Sequence, residues 1–149
     1  MHLKNNDDLM VLYSETVFKL IQQFKLPQSF AIITAHNPEG VICNININNF
    51  HDADLRKFLS TKRQCTIGSE PTEDEFIRNT YPIIGCSPDM SHQEESYAIE
   101  APKNRAYEIA EKFKQNAFFW VEKGQLSIVP VKLKGVDELS IGTFKSRII

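Results

Sequence analysis

The sequence is poor in the features that mark secreted and membrane proteins. Its three cysteines, Cys43, Cys65 and Cys86, are an odd number at wide spacing, which fits neither a disulfide framework nor a zinc site of short spacing. No apolar run approaches the roughly 20 residues that cross a bilayer, and residues 1–8 lack the apolar centre of a signal peptide. These absences predict a soluble, cytoplasmic protein with reduced thiols and no membrane partner.

An excess of charge of one sign is also missing. The chain has 17 basic and 19 acidic residues, a net charge of −2, so it offers no general positive field for nucleic acid. The six glycines are scattered singly and form no phosphate-cradling loop. Ser96 lacks the flanking glycines of a nucleophile elbow, and Cys86 is best interpreted as a small buried thiol. These observations disfavour a glycine-loop phosphate site, a serine nucleophile and a cysteine nucleophile.

The composition is that of an ordinary globular protein, with 42% apolar and 24% charged residues. A chain of 149 residues is long enough to bury a core, and no repeat or linker divides it, which predicts one domain over residues 1–149.

In the first half of the chain, apolar residues recur every three or four positions between residues 7 and 24, which predicts a helix that Pro27 ends. Residues 30–35 are continuously apolar and predict a strand covered on both faces, followed by a polar turn at 36–40. Residues 44–48 alternate Asn and Ile, which predicts a weak edge strand. A second helix should begin near Asp52 or Asp54, and residues 72–75 carry the spacing of a capping box.

In the second half, strands are predicted at residues 81–86 and 96–101, with a turn-rich segment at 87–92 between them. Pro102 suits the first turn of a third helix, whose buried stripe is Ala106, Ile109, Ala110 and Phe113. A hairpin of residues 117–121 and 126–133 turns at 123–124, and a last strand covers about 139–144.

This order predicts an α+β fold: a ferredoxin-like split β-α-β core with an added N-terminal helix and a C-terminal hairpin extension. In that topology the first and third core strands are central and antiparallel. The segments 36–40, 87–96 and 115–116 would then meet at one edge of the sheet. The open face of the sheet would be covered by the N-terminal helix or by a second subunit.

The polar residues at this edge admit structural and functional interpretations. Asn37 is either a turn-capping residue or a ligand-binding amide. His92, Glu94 and Ser96 point to one side of an extended chain, where His92 and Glu94 are an acid/base pair, two metal ligands or a solvated strand end. No third metal ligand stands out, since His36, His51, Glu39 and Asp89 are equally available. The sequence therefore identifies no metal site and no cofactor.

The chain resembles an uncharacterised bacterial family, the one known as domain of unknown function 3293. The resemblance rests on FAIITAHNP at 30–38, Asn48 followed by Leu55 and Leu59, GCSPD at 85–89, HQEES at 92–96 and FKQNAFF at 113–119. The family implies no established activity. It implies that five residues matter most, namely Asn37, Asn48, Glu94, Ser96 and Gln115. The sequence departs from the family pattern at His51, where arginine is expected, and at Glu95, where proline is usual.

Two functions of different classes follow. The first is a binding site for a small polar molecule, nucleoside-like or amino-acid-like, with Asn37, Asn48, Ser96 and Gln115 as ligand-binding residues. If the protein is an enzyme, His92 and Glu94 are its catalytic pair. The second is a protein-interaction or homo-oligomerisation module in which these polar residues only hold loops in place.

Overall fold

Three α-helices and seven strands make up the described part of the chain, and their order brings the site residues together. The computed structural model describes residues 5–62 and 77–149. The helices are α1 (Asn6–Ser14), α2 (Ile45–Lys62) and α3 (Lys103–Lys112). The strands are β1 (Val17–Leu20), β2 (Ser29–Thr34), β3 (Asn79–Cys86), β4 (Gln93–Glu100), β5 (Ala117–Glu122), β6 (Gln125–Pro130) and β7 (Leu139–Thr143).

The strands form one antiparallel sheet in the order β1-β3-β4-β2-β5-β6-β7. Strand β2 lies at its centre and pairs with β4 on one side and with β5 on the other. Thr34 lies opposite Ser96, and Ile32 lies opposite Phe119. The end of β2 therefore lies beside the starts of β4 and β5, so the polar segments that adjoin these three strand ends meet.

Each face of the sheet has its own apolar core. Ala31 and Ile33 of β2 point to the face covered by α2 and α3, whose Leu55, Leu59 and Ile109 are buried against it. We call this the helix side. Each fully buried side chain of this size contributes roughly 2 kcal/mol through removal of apolar surface from water.

The opposite face carries Phe30 and Ile32 and is covered within the same chain. Phe18 of β1 packs edge-on against Phe119 with 5.1 Å between ring centroids, and Phe144 lies over Phe30 at 5.4 Å. The cover consists of α1, the segment that follows β1 and the C-terminal residues, which contribute Met10, Phe24, Leu26 and Ile148. An apolar sheet face is thus removed from water by segments from both ends of the chain.

The predicted N-terminal helix over residues 7–24 is wrong beyond Ser14. Helix α1 ends there, with the N–H of Glu15 still bonded to carbonyls of the last turn, and Val17–Leu20 forms strand β1 against β3. The β-branched pair Thr16 and Val17 favours extended backbone. In a strand Phe18 becomes fully buried, which the predicted helix face would not have achieved.

The predicted edge strand at 44–48 is also wrong, because α2 begins at Ile45, well before Asp52. The side chain of Asn44 accepts a hydrogen bond from the N–H of Ile47 at 2.9 Å and caps the helix. Ile45 and Ile47 are exposed. The buried stripe instead reads Asn48, Asp52, Leu55 and Leu59, a helical spacing whose first two members are polar.

Most other predicted elements are confirmed. The strands at 81–86 and 96–101 are β3 and β4, although β4 starts three residues earlier at Gln93 and so includes Glu94 and Glu95. The stripe on α3, the hairpin and the last strand are also present. Cys86 is buried as expected, whereas Cys65 and the capping box at 72–75 lie outside the described residues. No helix in the described ranges is long and apolar enough to cross a membrane.

The C-terminal residues are fastened to the N-terminal segment. The guanidinium of Arg147 donates hydrogen bonds to the carbonyls of Ser14, Thr16 and Ile141. The N–H of Ile149 donates to the carbonyl of Phe18 at 3.0 Å. These bonds fix the junction between α1 and β1.

Candidate functional site

The loop after β2 turns sharply at Asn37. This residue adopts φ 48° and ψ 60°, a left-handed conformation that asparagine tolerates better than most residues. Gly40 also has a positive φ, 76°, and a Cβ atom at Gly40 would lie 2.8 Å from Nδ2 of Asn116. The loop therefore needs glycine here to pack closely against the segment that precedes β5.

Two hydrogen bonds join Asn37 and Asn48, one donated by each residue. The backbone N–H of Asn37 donates to Oδ1 of Asn48 at 2.9 Å, and Nδ2 of Asn48 donates to Oδ1 of Asn37 at 3.0 Å. Oδ1 of Asn37 also accepts from the N–H of Cys43 at 3.0 Å. Both asparagines are buried. Their polar atoms are used in joining the loop to α2.

Glu94 is the next member of this network. Its Oε1 accepts a hydrogen bond from Nδ2 of Asn37 at 3.0 Å and lies 3.1 Å from Nε2 of His92. The side chains of His92 and Glu94 are 53% and 26% exposed. We call Asn37, Asn48, His92 and Glu94 the loop cluster; it presents a positioned carboxylate to solvent.

The segment before β5 closes the loop cluster from the other side. Nε2 of Gln115 donates to the carbonyl of His36 at 3.2 Å. The neighbouring Asn116 lies near the side chain of Tyr13 in α1. Burial raises the pKa of the Tyr13 phenol, the side chain of Asn116 opposes the rise, and the charge of Glu94 adds to it. Helix α1 thus brings a neutral phenol towards Glu94.

The turn before β4 is ordered by its own side chains. Oδ1 of Asp89 accepts hydrogen bonds from the hydroxyls of Ser91 at 2.7 Å and Ser87 at 2.8 Å. These two bonds lower the pKa of Asp89 to about 2. The N–H of His92 in turn donates to Oγ of Ser87 at 3.0 Å. The turn therefore fixes the backbone from which His92 projects.

A second polar cluster lies on the helix side, directly across β4. It contains His36 from the loop, Asp52 from α2 and Glu95 from β4, and one donor atom of each lies within 4.8 Å of the others. The hydroxyl of Tyr97 donates to Oδ2 of Asp52 at 3.2 Å. We call these four residues the helix-side cluster. Glu94 and Glu95 serve opposite clusters because successive side chains of a strand alternate.

The environment shifts the protonation of the helix-side cluster. Burial lowers the pKa of His36, although the charges of Glu94 and Asp52 oppose the shift. Interaction with the carboxyl group of Asp52 raises the pKa of Glu95, and burial adds to the rise. Burial and the charge of Asp52 also raise the pKa of Tyr97. A neutral imidazole keeps one nitrogen lone pair for a ligand.

Five of the six residues predicted for the site meet through direct hydrogen bonds or through the loop backbone, and Ser96 lies beside them. Its buried hydroxyl donates to the carbonyl of Glu94 at 3.1 Å. Sequence reasoning missed Tyr13, Asp52 and Asn116. The helical spacing of Asn48, Asp52 and Leu55 was the available signal for Asp52. Nothing local signals Tyr13, whose place depends on the packing of α1 against the sheet.

Comparison with known proteins identifies the family of the chain. A model of the family described as "Protein of unknown function (DUF3293)" matches residues 33–118, more than half of the chain, and this range includes the end of β2, all of α2 and β4, and both clusters. No curated protein and no solved structure matches.

Proposed function

We propose that this chain, which belongs to the family of proteins of unknown function DUF3293, binds a small polar molecule at the loop cluster. Glu94 and His92 are the groups that contact it. Asn37 and Asn48 are positioning residues, because their own polar atoms are engaged with each other and with the backbone. Gln115 and Ser96 hold the backbone of the same site.

The hydrogen bonding of the Glu94 carboxylate is the observation that supports this proposal most directly. Oε1 is fixed by Asn37 and His92, whereas Oε2 accepts no hydrogen bond from any residue of the described ranges. The side chain is nevertheless partly exposed. A carboxylate that is held in one orientation and open at one oxygen loses little conformational freedom when it binds a donor.

The chemistry of the cluster limits the ligand class. An open carboxylate oxygen accepts hydrogen bonds from an ammonium group or from hydroxyls. Amino-acid derivatives and nucleosides carry such groups. If the bound molecule reacts, His92 and Glu94 are placed to move a proton, because Nε2 and Oε1 are within hydrogen-bond distance.

A thermal-shift screen of the full chain against nucleosides and amino-acid derivatives tests this proposal. We expect a binding compound to raise the Tm of the wild type, and Glu94→Gln to abolish the rise while keeping the unfolding free energy within about 0.5 kcal/mol. Glu122→Gln, an exposed carboxylate on β5, is the matched control and should respond like the wild type. An undiminished response of Glu94→Gln, or no response of the wild type to either class, would contradict the proposal.

A second function is favoured by one specific observation. Large apolar side chains are exposed together between β2 and the first turns of α2: Val41, Ile42, Ile45, Ile47 and Phe50. Exposed apolar patches of this kind mark interaction surfaces. In this alternative a second copy of the chain covers the patch, and the loop cluster only pins the loop behind it. Light scattering decides between the ligand-binding function and this alternative. A wild type that is a dimer, and that Phe50→Ser converts to a monomer, supports the alternative.

We also propose that the segment from β2 to β5 is a ferredoxin-like core. The antiparallel neighbours β3-β4-β2-β5, with α2 and α3 as the connections between strands, support this assignment. The remaining elements, α1, β1, β6 and β7, are then additions that widen the sheet and cover its second face.

A further inference from the structure

The helix-side cluster contains two buried polar atoms that no hydrogen bond accounts for. Nε2 of His36 and Oδ1 of Asp52 have no partner among the described residues, and neither is bonded to the other. Both residues are only 4% exposed. A buried polar atom without a partner costs about 1–3 kcal/mol, and native structures hold few of them. Two such atoms in one cluster call for a bound group.

The charges of the cluster indicate what that group is. Asp52 and Glu95 place two carboxylates together, and Arg56 is the cation that acts on Glu95 there. Asp52 Oδ2 is already occupied by the hydroxyl of Tyr97, so Oδ1 is the oxygen left for a ligand. Two carboxylates that face each other repel unless a proton or a cation lies between them. A cation would satisfy them and also the lone pair of His36.

From this geometry we propose that His36, Asp52 and Glu95 bind one divalent transition-metal ion on the helix side of β4. One imidazole nitrogen and two carboxylate oxygens suit Zn²⁺, Mn²⁺ or Fe²⁺ better than Mg²⁺ or Ca²⁺, which take oxygen ligands. Three protein ligands leave coordination positions for water or a substrate.

The three ligands come from three elements that the fold holds rigidly together. Thr34 Oγ1 accepts from the N–H of His36 at 3.1 Å, and Gln115 binds its carbonyl, so the backbone of His36 is fixed at both groups. Asp52 lies in the middle of α2, and Glu95 lies in β4. Ligand atoms on one ion at about 2.1 Å are roughly 3–4 Å apart, so a small movement of the exposed Glu95 closes the present spacing.

Tyr97 supports the site without contacting the ion. Its hydroxyl donates a hydrogen bond to Oδ2 of Asp52, which restrains the carboxylate and leaves Oδ1 for the ion. Hydrogen bonds of this kind to a metal-bound carboxylate commonly change metal affinity by about 10- to 100-fold. This gives the proposal a second, independent residue to test.

The experiment measures binding of Co²⁺, Zn²⁺ and Mn²⁺ to the chelator-treated full chain by calorimetry, with the visible spectrum of Co²⁺ as a second readout. We expect one ion per chain and a Co²⁺ spectrum of low coordination number. Glu95→Gln should weaken binding by at least about tenfold and change the Co²⁺ spectrum, and Tyr97→Phe should weaken it by about 10- to 100-fold with the spectrum kept. Glu95 is exposed, so the fold should tolerate its replacement.

Glu94→Gln is the matched control, since it removes the neighbouring carboxylate of the same strand from the opposite cluster. It should keep the stoichiometry and weaken metal binding far less than Glu95→Gln does, because its charge reaches His36 only through space, and this separates the inference from the ligand proposed for the loop cluster. Metal binding that Glu95→Gln and Asp52→Asn leave unchanged would overturn the proposal. So would a wild type that binds none of the three metals at millimolar concentration, because Asp52 and Glu95 would then share a proton instead.

Discussion

The loop cluster and the helix-side cluster lie back to back across β4 but differ in how their polar groups are used. In the loop cluster, both buried amides exchange hydrogen bonds with each other and with the backbone. In the helix-side cluster, an imidazole nitrogen and a carboxylate oxygen are buried without a partner. The first arrangement stabilises the folded chain by itself. The second is costly unless something binds, and it is therefore the stronger indication of a ligand.

Replacement of Asn48 should have the largest effect on stability, because the buried pair Asn37 and Asn48 holds the loop against α2. Asn48→Ala leaves the buried N–H of Asn37 without its acceptor and removes one of the two donors to Oδ1 of Asn37, and we expect the unfolding free energy to fall by about 3 kcal/mol. Urea denaturation measures it. Asn46→Ala, an exposed asparagine one half-turn earlier on α2, should change stability by less than about 0.5 kcal/mol. If the two variants lost equal unfolding free energy, the loop cluster would not be the stabilising one of the two clusters.

An intermediate loss of unfolding free energy is expected on replacement of Gly40, where the loop packs closely against Asn116. Gly40→Ala adds a Cβ atom 2.8 Å from Nδ2 of Asn116 at a residue with φ 76°, and should cost about 2 kcal/mol. Gly135→Ala meets a similar positive φ but no atom within 4 Å, and should cost about 1 kcal/mol. Chemical denaturation of the two variants separates steric contact from backbone strain. A Gly40 variant no worse than the Gly135 variant would show that the contact is unimportant.

The smallest effect is expected in the helix-side cluster when no metal is present. In chelator-treated protein, Asp52→Asn should change the unfolding free energy by no more than about 0.5 kcal/mol, because the amide donates to Glu95 and removes a repulsion between carboxylates. Added Zn²⁺ should then stabilise the wild type but not the variant. A loss as large as that of Asn48→Ala in chelator would show that Asp52 is a structural residue of the same kind.

The sequence predicts the apolar strands and the meeting of the polar segments well, since both follow from runs such as residues 30–35 and from strand order. It fails where a polar residue occupies a core-facing position. Asn48 and Asp52 begin the buried stripe of α2, so hydrophobic periodicity placed the helix start too late. The alternation of asparagine and isoleucine at 44–48 therefore led to the prediction of a strand, although both isoleucines are exposed on α2.

The N-terminal segment shows a different limit. Leu9, Tyr13, Val17 and Leu20 fit one helix face, but Phe18 gains more from burial between Phe119 and Phe144 than a continued helix would give. Both partners are more than 100 residues away along the chain. Tertiary packing therefore overrides local periodicity, and with it decides where Tyr13 lies.

The fastening of Arg147 to Ser14 has a consequence for the order of events during synthesis. Strand β1 can pair with β3 once residues 79–86 have left the ribosome, but its contact with Phe144 and the bonds from Arg147 and Ile149 form only after residues 144–149 have followed. The junction between α1 and β1 is therefore fixed after the strands that follow it in the chain. Contacts of such long sequence separation slow folding, and the cover that Phe144 gives to Phe30 forms only after β2 to β7 have been made.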